Sequence, residues 1–473
     1  MSKTQKQHES DVERIQEQIR AAKEPISLAK RSLHSNTTRS SEYKKSSFKL
    51  PVDSLNRIIS IDHKRLSCVA EPRVSMQMLA EATCKEGLIP RVVPEFKGIT
   101  VGGAIMGCGG ESSSHRVGLF HNNCSYFDIV LGDGSLVRAS PDDHADLFYG
   151  SVGSYGTLGV LVAAEIALEE AKPYVTVQMH SCSSGEEALK KIDALMHQEL
   201  PPEYLEGVIF SKDFAIVLEG NKSDHQEGYL LKDAPLSPLY YQFVKQGKAT
   251  FSMPLVDYLF RYDRGAFWMG SYVFSFPILK KLLCEGIFKL QKPKPLSGRE
   301  RELFSRPANP GTVLRALTYP FSASQPLYSL LHSCEDWVEE RFMIQDFTLP
   351  VATCNKFLET IEEHCPIYPL WLCPVKAEKG PTLFAPHNLK GANSINIGVY
   401  GVPKQANSLA LLETRLHELG GLKWLYTNSE YTVEQFWSIY PEAEYRALRK
   451  KYHAEGAWLS IESKVLKHAS RNL

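Results

Sequence analysis

The order of apolar and polar positions predicts helices, strands and hairpins mixed along the first third of the chain. Val12, Ile15 and Ile19 fall on one face among charged residues, which predicts a short amphipathic helix. Val160–Leu168 is a continuous apolar run with the length of a buried strand. The Gly-Asp-Gly sequence at 132–134 joins two apolar segments and predicts a β-hairpin. Because these elements do not alternate strictly between strand and helix, the pattern favours an α+β fold over a doubly wound sheet.

The pattern changes after residue 170, where glycine becomes sparse and aromatic residues accumulate. Examples are DYLFRYDRGAFW at 257–268 and IYPLWLCPV at 367–375. A chain of 473 residues is also too long for a single core of ordinary size. We therefore predict a second domain with a large apolar interior.

Seven glycines are concentrated in the stretch Pro90–Phe120, PRVVPEFKGITVGGAIMGCGGESSSHRVGLF. A cluster this dense indicates backbone that passes close to another object, or that adopts conformations a side chain would forbid. One interpretation is a series of tight turns in a β-rich domain. The other is a cofactor cradle, because backbone N–H groups can surround the anionic oxygens of a pyrophosphate. The glycine count alone leaves both interpretations open.

Several nucleotide-binding and hydrolase motifs do not fit the sequence. Gly107-x-Gly109 begins like the dinucleotide fingerprint G-x-G-x-x-G, but Ser112 stands at the third glycine position. The chain has no G-x-x-x-x-G-K-[ST] loop, and the four residues 153–156, GSYG, lack the spacing of a nucleophile elbow. These observations argue against a Rossmann dehydrogenase, a P-loop ATPase and an α/β-hydrolase.

The charge balance and the spacing of cysteines and histidines bear on nucleic-acid binding and metal binding. The 54 Lys and Arg residues balance 54 Asp and Glu residues, so no basic excess supports nucleic-acid binding. The ten cysteines contain no C-x-x-C pair. His115 and His121 could form a metal pair, but no carboxylate or third histidine stands at ligand spacing. We therefore expect neither nucleic acid nor a metal ion as a partner.

The N-terminal residues are polar and lack the apolar core of a signal peptide. With its scattered cysteines, the protein is expected to be intracellular with free thiols, either cytoplasmic or peripherally attached to a membrane. No apolar run reaches the length of a membrane-spanning helix. The nearest, Trp268–Ile287, is interrupted by Pro277 and charged residues, and either packs in the core or lies against a membrane surface.

Longer segments of the sequence indicate a protein family more specifically than the number of glycines does. PEFKGITVGGAIMGCGGESSSHRVGLF and DLFYGSVGSYGTLGVLVAAEI resemble the PCMH-type FAD-binding domain of the vanillyl-alcohol oxidase superfamily. Within that superfamily, ESSSH followed by GLF is similar to the Δ24-sterol reductase family, also called the 24-dehydrocholesterol reductase or Diminuto/seladin family. DYLFRYDRGAFW, IQDFTLPV, IYPLWLCPV, INIGVYGVP and EYTVEQFW resemble the same family in the same order. The resemblance extends from about Val69 to the C-terminal helix.

The resemblance implies an α+β architecture in three parts. A two-subdomain PCMH-type FAD-binding domain would cover residues 1–170, and an α/β cap domain that binds the substrate would cover 171–415. A C-terminal segment, 416–473, would pack back near the flavin. The FAD is expected to be non-covalent and to contact the glycine-rich stretch and a second segment near residue 158. The residues implied are Thr100, Val101, Gly102, Gly103, Ala104, Ile105, Met106, Gly107, Cys108, Gly109, Gly110, Glu111, Ser112, His115, Gly118, Gly156, Thr157, Gly159 and Val160.

The N-terminal part of the sequence departs from the family pattern. Many members of the superfamily carry a glycine-rich pyrophosphate loop where this protein has LHSNTTRSS at 33–41. Ser35, Asn36, Thr37, Thr38 and Arg39 could bind pyrophosphate through hydroxyl, amide and guanidinium donors. The other interpretation is a plain surface loop.

The implied reaction is reduction of a carbon–carbon double bond in the side chain of a sterol or related lipid, with NADPH as electron donor. The proton donor is not identified by the sequence. Tyr431, Tyr262 and Arg261 lie in family-like segments, although aromatic packing would also explain both tyrosines. An alcohol or lactone oxidase or dehydrogenase of the same fold is the first alternative, and a non-catalytic scaffold is the second. The oligomeric state is left open.

Overall fold

The computed structural model describes residues 2–29, 37–39, 42–45, 47–247, 250–273, 280–287, 297, 319–403 and 407–467. Its strands form two large sheets and one small parallel pair. The pair is β1 (Ile26–Ala29) with β2 (Phe48–Pro51). The mixture of helices and antiparallel sheets confirms the α+β prediction.

The first sheet has the strand order β3-β4-β8-β6-β7, and β5 also pairs with β8. Its strands are β3 (Ile58–Asp62), β4 (Ser67–Ala70), β5 (Leu88–Pro90), β6 (Cys124–Val130), β7 (Leu136–Ala139) and β8 (Val160–Glu170). All pairings in this sheet are antiparallel. The central strand β8 is the predicted apolar run, buried from 160 to 166. The predicted hairpin at 132–134 joins β6 to β7.

The second sheet has nine strands in the order β12-β13-β9-β11-β10-β15-β16-β14-β17. They are β9 (Tyr174–Cys182), β10 (Tyr204–Ser211), β11 (Phe214–Ser223), β12 (Tyr229–Leu230), β13 (Thr250–Pro254), β14 (Met343–Pro350), β15 (Leu370–Val375), β16 (Ser394–Gly401) and β17 (Leu422–Lys423). Only the pair β12 and β13 is parallel among these described strands. Strands β15 and β16 are buried throughout, because both faces of the sheet are covered.

The two faces of β15 contact different cores, as the period of two in a strand requires. Leu370 and Leu372 pack with the helices that cover the outer face of the sheet. Trp371 and Cys373 point the other way and join the core that includes the first sheet. This inner face is therefore turned toward the first sheet.

The helices fill the connections between strands. The α-helices are Lys3–Ala21, Met76–Lys85, Val101–Met106, Ser114–Val117, Ala145–Ser151, Gly185–Met196, Tyr240–Val244, Leu255–Leu259, Met269–Val273, Ser324–His332, Glu335–Glu339, Val351–His364, Ser408–Glu418, Val433–Ile439, Glu442–Lys451 and Ile461–Val465. Short 3₁₀ turns cover Glu42–Lys44, Phe120–Asn123 and Tyr319–Phe321, and a π turn covers Leu282–Ile287. The first helix is longer than the predicted apolar face because Ser2 caps it, accepting from the Gln5 N–H.

The C-terminal residues pack against residues of the first third of the chain. The Arg449 guanidinium donates to the carbonyl oxygens of Thr157 at 2.7 Å and Trp458 at 2.6 Å. The Ile26 N–H donates to the Ala457 carbonyl at 2.8 Å. The last described residues therefore lie beside β1 and the start of β8.

Every helix among the described residues is too short or too polar to span a lipid bilayer. The segment considered for contact with a membrane surface is described over 268–273 and 280–287. Within it, Trp268, Tyr272 and Leu282 are buried in the main core.

Candidate active site

A cavity lies between the two sheets, with about 1870 Å³ of empty space counting its opening to solvent. Val160 of β8 lines it from the first sheet. Trp371 and Tyr400 line it from the second sheet, and Trp458 and Lys464 line it from the C-terminal segment. A deep, mostly apolar cleft where separate elements meet is the usual setting of a cofactor or ligand site.

The predicted cofactor residues divide between the cavity wall and the surrounding protein. Those that line the cavity are Thr37, Thr100, Gly102, Gly103, Ala104, Met106, Gly107, Gly109, Gly110, Gly156, Gly159 and Val160. Those that do not are Thr38, Val101, Ile105, Cys108, Glu111, Ser112, His115, Gly118 and Thr157. Ser35 and Asn36 lie outside the described residues. Of the predicted cofactor residues in the glycine-rich stretch, those that line the cavity thus lie between Thr100 and Gly110.

Several glycines in this wall are required by protein atoms behind them. A Cβ at Gly102 would lie 2.8 Å from the Cβ of Pro72, and one at Gly109 would lie 2.8 Å from the Cγ of Pro94. Gly156 differs, because its φ is +70° and the nearest atom to an added Cβ would be 3.7 Å away. At Gly102 and Gly109 the close neighbour is therefore the protein itself, whereas no protein atom lies that close at Gly156.

His115 is held away from the cavity by two carbonyl oxygens. Its Nδ1 lies 2.9 Å from the Ser112 oxygen, and its Nε2 lies 2.8 Å from the Pro202 oxygen. Burial lowers the pKa of His115 to about 4, although the two carbonyl acceptors act in the opposite direction. The neutral ring has one N–H and donates to one of the two carbonyls at a time. The geometry gives this histidine a role in packing the segment 111–118 against the second sheet.

Four cationic side chains, Arg39, Lys44, Arg73 and Lys464, line the cavity. The Arg39 guanidinium lies 4.2 Å from the centre of the Tyr155 ring and donates to the Leu425 carbonyl. Nearby, the Lys464 ammonium donates to the carbonyl oxygens of Tyr155 and Gly156, each at 3.2 Å. Cations fixed in this way match an anionic group such as a pyrophosphate.

A second group of polar residues reaches the cavity from β14 and β16. The Asp346 carboxylate accepts hydrogen bonds from Asn396 at 2.6 Å, from Tyr400 at 2.7 Å and from Tyr426 at 2.5 Å. Burial raises the pKa of Asp346, while these three donors act in the opposite direction. Its oxygens are therefore fully engaged by neighbouring side chains.

The Glu95 side chain also lines the cavity, directly before Phe96. Burial raises the pKa of Glu95 to about 8, and the negative charges of Glu111 and Asp346 add to this rise, opposed by Arg261. At neutral pH Glu95 therefore carries a proton that it can give up. A protonated carboxyl on the wall of an apolar cavity has the properties of a general acid.

The three residues that the sequence offered as proton donors do not line the cavity. The Arg261 guanidinium is fully buried between Glu111 at 2.7 Å and Glu206 at 3.0 Å. The Tyr262 hydroxyl donates to Glu206 at 3.0 Å. Tyr431 is buried, and burial raises the pKa of its phenol. Sequence reasoning missed Glu95 and Asp346, although both lie in family-like segments, PEFKGITVGG and IQDFTLPV.

Folding also brings together a group that residue spacing could not show. The Glu378 Oε2 lies 2.8 Å from the His121 Nε2 and 3.3 Å from the His387 Nε2. These three buried residues could hold a metal ion, and they lie outside the residues that line the cavity. The expectation of no metal site rested on spacing along the sequence, which does not report this contact.

Comparison with known proteins gives one family model and a set of full-length relatives. The model of the FAD binding domain matches residues 7–140. The chain is 30% identical to the Delta(24)-sterol reductase of Rattus norvegicus, over 99% of its own length and 88% of the relative. It is 26% identical to the Delta(24)-sterol reductase of Arabidopsis thaliana, over 98% of its own length and 86% of the relative. A Delta(24)-sterol reductase homolog of Caenorhabditis elegans is 24% identical over 91% of this protein and 81% of the relative.

Proposed function

The chain belongs to the Delta(24)-sterol reductase family, and we propose that it reduces a carbon–carbon double bond in the side chain of a sterol or related lipid, using FAD and NADPH. The observation that carries the proposal is the cavity between the two sheets, which is lined by the cations Arg39 and Lys464 and by the carboxyl of Glu95. An oxidoreductase of this kind needs a place for a dinucleotide and an apolar place for its substrate.

The residues of the cavity fit FAD. Arg39 and Lys464 offer cations to the pyrophosphate, and Gly156 leaves space where a larger residue would intrude. Residues of the segment 100–110 also line the cavity. Bound FAD would supply hydride transfer, with NADPH as the source of electrons. The protein supplies position, charge and exclusion of water.

The substrate place is formed by aromatic and apolar side chains. Phe96, Tyr328, Trp371 and Tyr400 line the cavity around Glu95. Such a wall suits a hydrophobic molecule without charged groups. An isolated alkene offers no polar handle, so the shape of this wall must position the double bond.

We assign the role of proton donor in this reduction to Glu95. Reduction of a C=C bond adds a hydride to one carbon and a proton to the other, and the two electrons of the hydride come from NADPH. The Glu95 carboxyl would release its proton to the second carbon and become a carboxylate, which water then reprotonates. Asp346 is less suited to this step, because three donors already occupy its oxygens.

We also propose the division of the protein into an FAD-binding domain at 1–170, a cap domain at 171–415 and a C-terminal segment at 416–473. The change of sheet between β8, which ends at Glu170, and β9, which begins at Tyr174, supports the first boundary. The position of Trp458 and Lys464 on the cavity wall supports the role of the third part.

The visible spectrum of the purified protein tests the function. We expect a flavin spectrum, and we expect acid precipitation to release the flavin from the protein. Without oxygen, NADPH should bleach the flavin absorbance, and a sterol with a double bond at position 24 should restore it. The matched saturated sterol should not restore it. Reoxidation by oxygen with release of peroxide, and without response to the sterol, would support the oxidase alternative. A protein that stays colourless after FAD is added would support the scaffold alternative.

A further inference from the structure

The cluster formed by His121, Glu378 and His387 lies at the junction of the two halves of the molecule. His121 is in the turn Phe120–Asn123, which follows the glycine-rich stretch and leads into β6. Glu378 and His387 lie in the connection between β15 and β16 of the second sheet. Their side chains are only 2%, 1% and 0% exposed, respectively. Three ionisable groups are thus buried together where neither half alone could assemble them.

The distances within the cluster fit a metal site. One ligand atom from each residue lies within 4.8 Å of the others. A tetrahedral ion with bonds of about 2.0–2.1 Å holds its ligand atoms about 3.3 Å apart. The two measured separations from the Glu378 Oε2 are 2.8 Å to His121 and 3.3 Å to His387, so little movement is needed.

Neighbouring groups orient the carboxylate as a metal ligand. The N–H groups of Lys379 and Gly380 both donate to the Glu378 Oε1 at 2.8 Å. The Glu378 Oε2 faces the two imidazoles and also accepts from the Asn122 amide nitrogen at 3.2 Å. The Asn122 amide oxygen lies 3.2 Å from the His387 Nε2 and is a fourth candidate ligand.

The two imidazoles meet the Glu378 carboxylate through their Nε2 atoms. The Nδ1 atoms of His121 and His387 are buried and have no hydrogen-bond partner among the described residues. An ion held between the two Nε2 atoms and the Glu378 Oε2 would leave these Nδ1 atoms unchanged, so the donor set on the Nε2 side is what points to an ion. Two imidazoles and one carboxylate form a ligand set that suits Zn²⁺ and related first-row cations.

We propose that His121, Glu378 and His387 bind a divalent cation of the Zn²⁺ type, which fastens the connection between β15 and β16 to the end of the glycine-rich stretch. None of the three residues lines the cavity, so the role is structural. The ion would fix the position of Trp371 on the cavity wall relative to Gly109 and Gly110 on the same cavity's wall. Because this inference concerns metal content, it does not depend on the proposed reaction.

Metal analysis of the purified protein, prepared without chelator, tests the inference. We expect one equivalent of zinc per protein molecule by mass spectrometry. After treatment with chelator, calorimetry should show one equivalent of Zn²⁺ bound, and the unfolding midpoint should rise with added Zn²⁺. Glu378→Gln and His387→Gln should lose both the binding and the rise. His63→Gln is the matched control, because His63 and Glu86 form an exposed pair at 3.1 Å, and it should behave as the wild type.

The inference is overturned if the wild-type protein holds no zinc and takes up none, or if both variants bind Zn²⁺ as the wild type does. Should one variant fail to fold, the wild-type titration and the other variant still decide the question.

Discussion

The Arg261 guanidinium donates to the Glu111 carboxylate at 2.7 Å, and both residues are buried. Glu111 follows Gly110 in the glycine-rich stretch, while Arg261 follows the helix Leu255–Leu259. Arg261 also donates to Glu206, which in turn accepts from the Trp371 indole at 2.8 Å. One buried charge network therefore joins the glycine-rich stretch to the aromatic wall of the cavity.

Replacing Arg261 by methionine should destabilise the protein strongly. Removal of one partner from a buried ion pair leaves uncompensated charge and typically costs about 3–5 kcal/mol. Here Glu111 and Glu206 would both lose their cation. Urea unfolding followed by tryptophan fluorescence measures the change in free energy.

Arg138 provides the control for this measurement. Its side chain is 60% exposed and pairs with Asp128 at 2.8 Å, so Arg138→Met should cost less than about 1 kcal/mol. Equal losses for the two variants would show that the buried network contributes no more than a surface pair.

Replacing Glu95 by glutamine should separate the two halves of the proposed reaction. The variant keeps the shape of the residue but has no proton to donate, so reoxidation of reduced flavin by the sterol should slow by about a hundredfold or more. Bleaching by NADPH should be unchanged, because that step takes no proton from Glu95. Stopped-flow absorbance of each half-reaction measures the two effects, and equal slowing of both would contradict the assignment.

The same assignment predicts a pH dependence. Burial raises the pKa of Glu95 to about 8, and the negative charges of Glu111 and Asp346 raise it further. The positive charge of Arg261 opposes this rise. The phenols of Tyr328 and Tyr400 also face Glu95, as neutral groups. The proton is therefore present below pH 8 and lost above it. The sterol-dependent rate of the wild type should be level near pH 7 and fall as pH rises through about 8. A rate that rises through that range would exclude Glu95 as the acid.

Replacing Arg39 by methionine should weaken FAD binding without unfolding the protein. The change removes a cation that lines the cavity and stacks on Tyr155 at 4.2 Å. Loss of a charge-assisted hydrogen bond costs about 1.5–3 kcal/mol, which corresponds to roughly a 10- to 150-fold rise in the dissociation constant. Fluorescence titration of the flavin-free protein measures it.

Arg138→Met is again the control for the Arg39 variant, because Arg138 stacks in the same manner on Tyr126, at 3.9 Å, outside the cavity. Its FAD affinity should equal that of the wild type. If both variants bind FAD like the wild type, Arg39 does not contact the cofactor.

The sequence could predict much of the fold because the relevant signals are local. The apolar run that forms β8 and the Gly-Asp-Gly turn between β6 and β7 depend on neighbouring residues only. The charge network and the histidine cluster depend on contacts between distant positions. Arg261 and Glu111 are 150 residues apart, and His121 and Glu378 are 257 residues apart. No periodicity along the sequence reports such pairs.

The protonation state of Glu95 could not be predicted from the sequence for a different reason. Its segment is family-like, but a single glutamate in a sequence carries no sign of its protonation state. That state follows from burial and from the charges of Glu111 and Asp346, which reach it only in the folded protein. The residue could be seen in the sequence, whereas its chemistry could not.

Replacing Gly156 by alanine should weaken FAD binding more than it weakens the fold. Its φ of +70° makes any larger residue costly by about 1–2 kcal/mol, but an added Cβ would meet no protein atom closer than 3.7 Å. The new methyl group would instead occupy the cavity wall. Gly87→Ala is the matched control, because Gly87 has a φ of +71°, no atom within 4 Å of an added Cβ and no place in the cavity lining. The two variants should lose similar unfolding free energy in the absence of FAD, and only Gly156→Ala should require more FAD for saturation. Equal FAD affinities would mean that the cofactor does not pass close to Gly156.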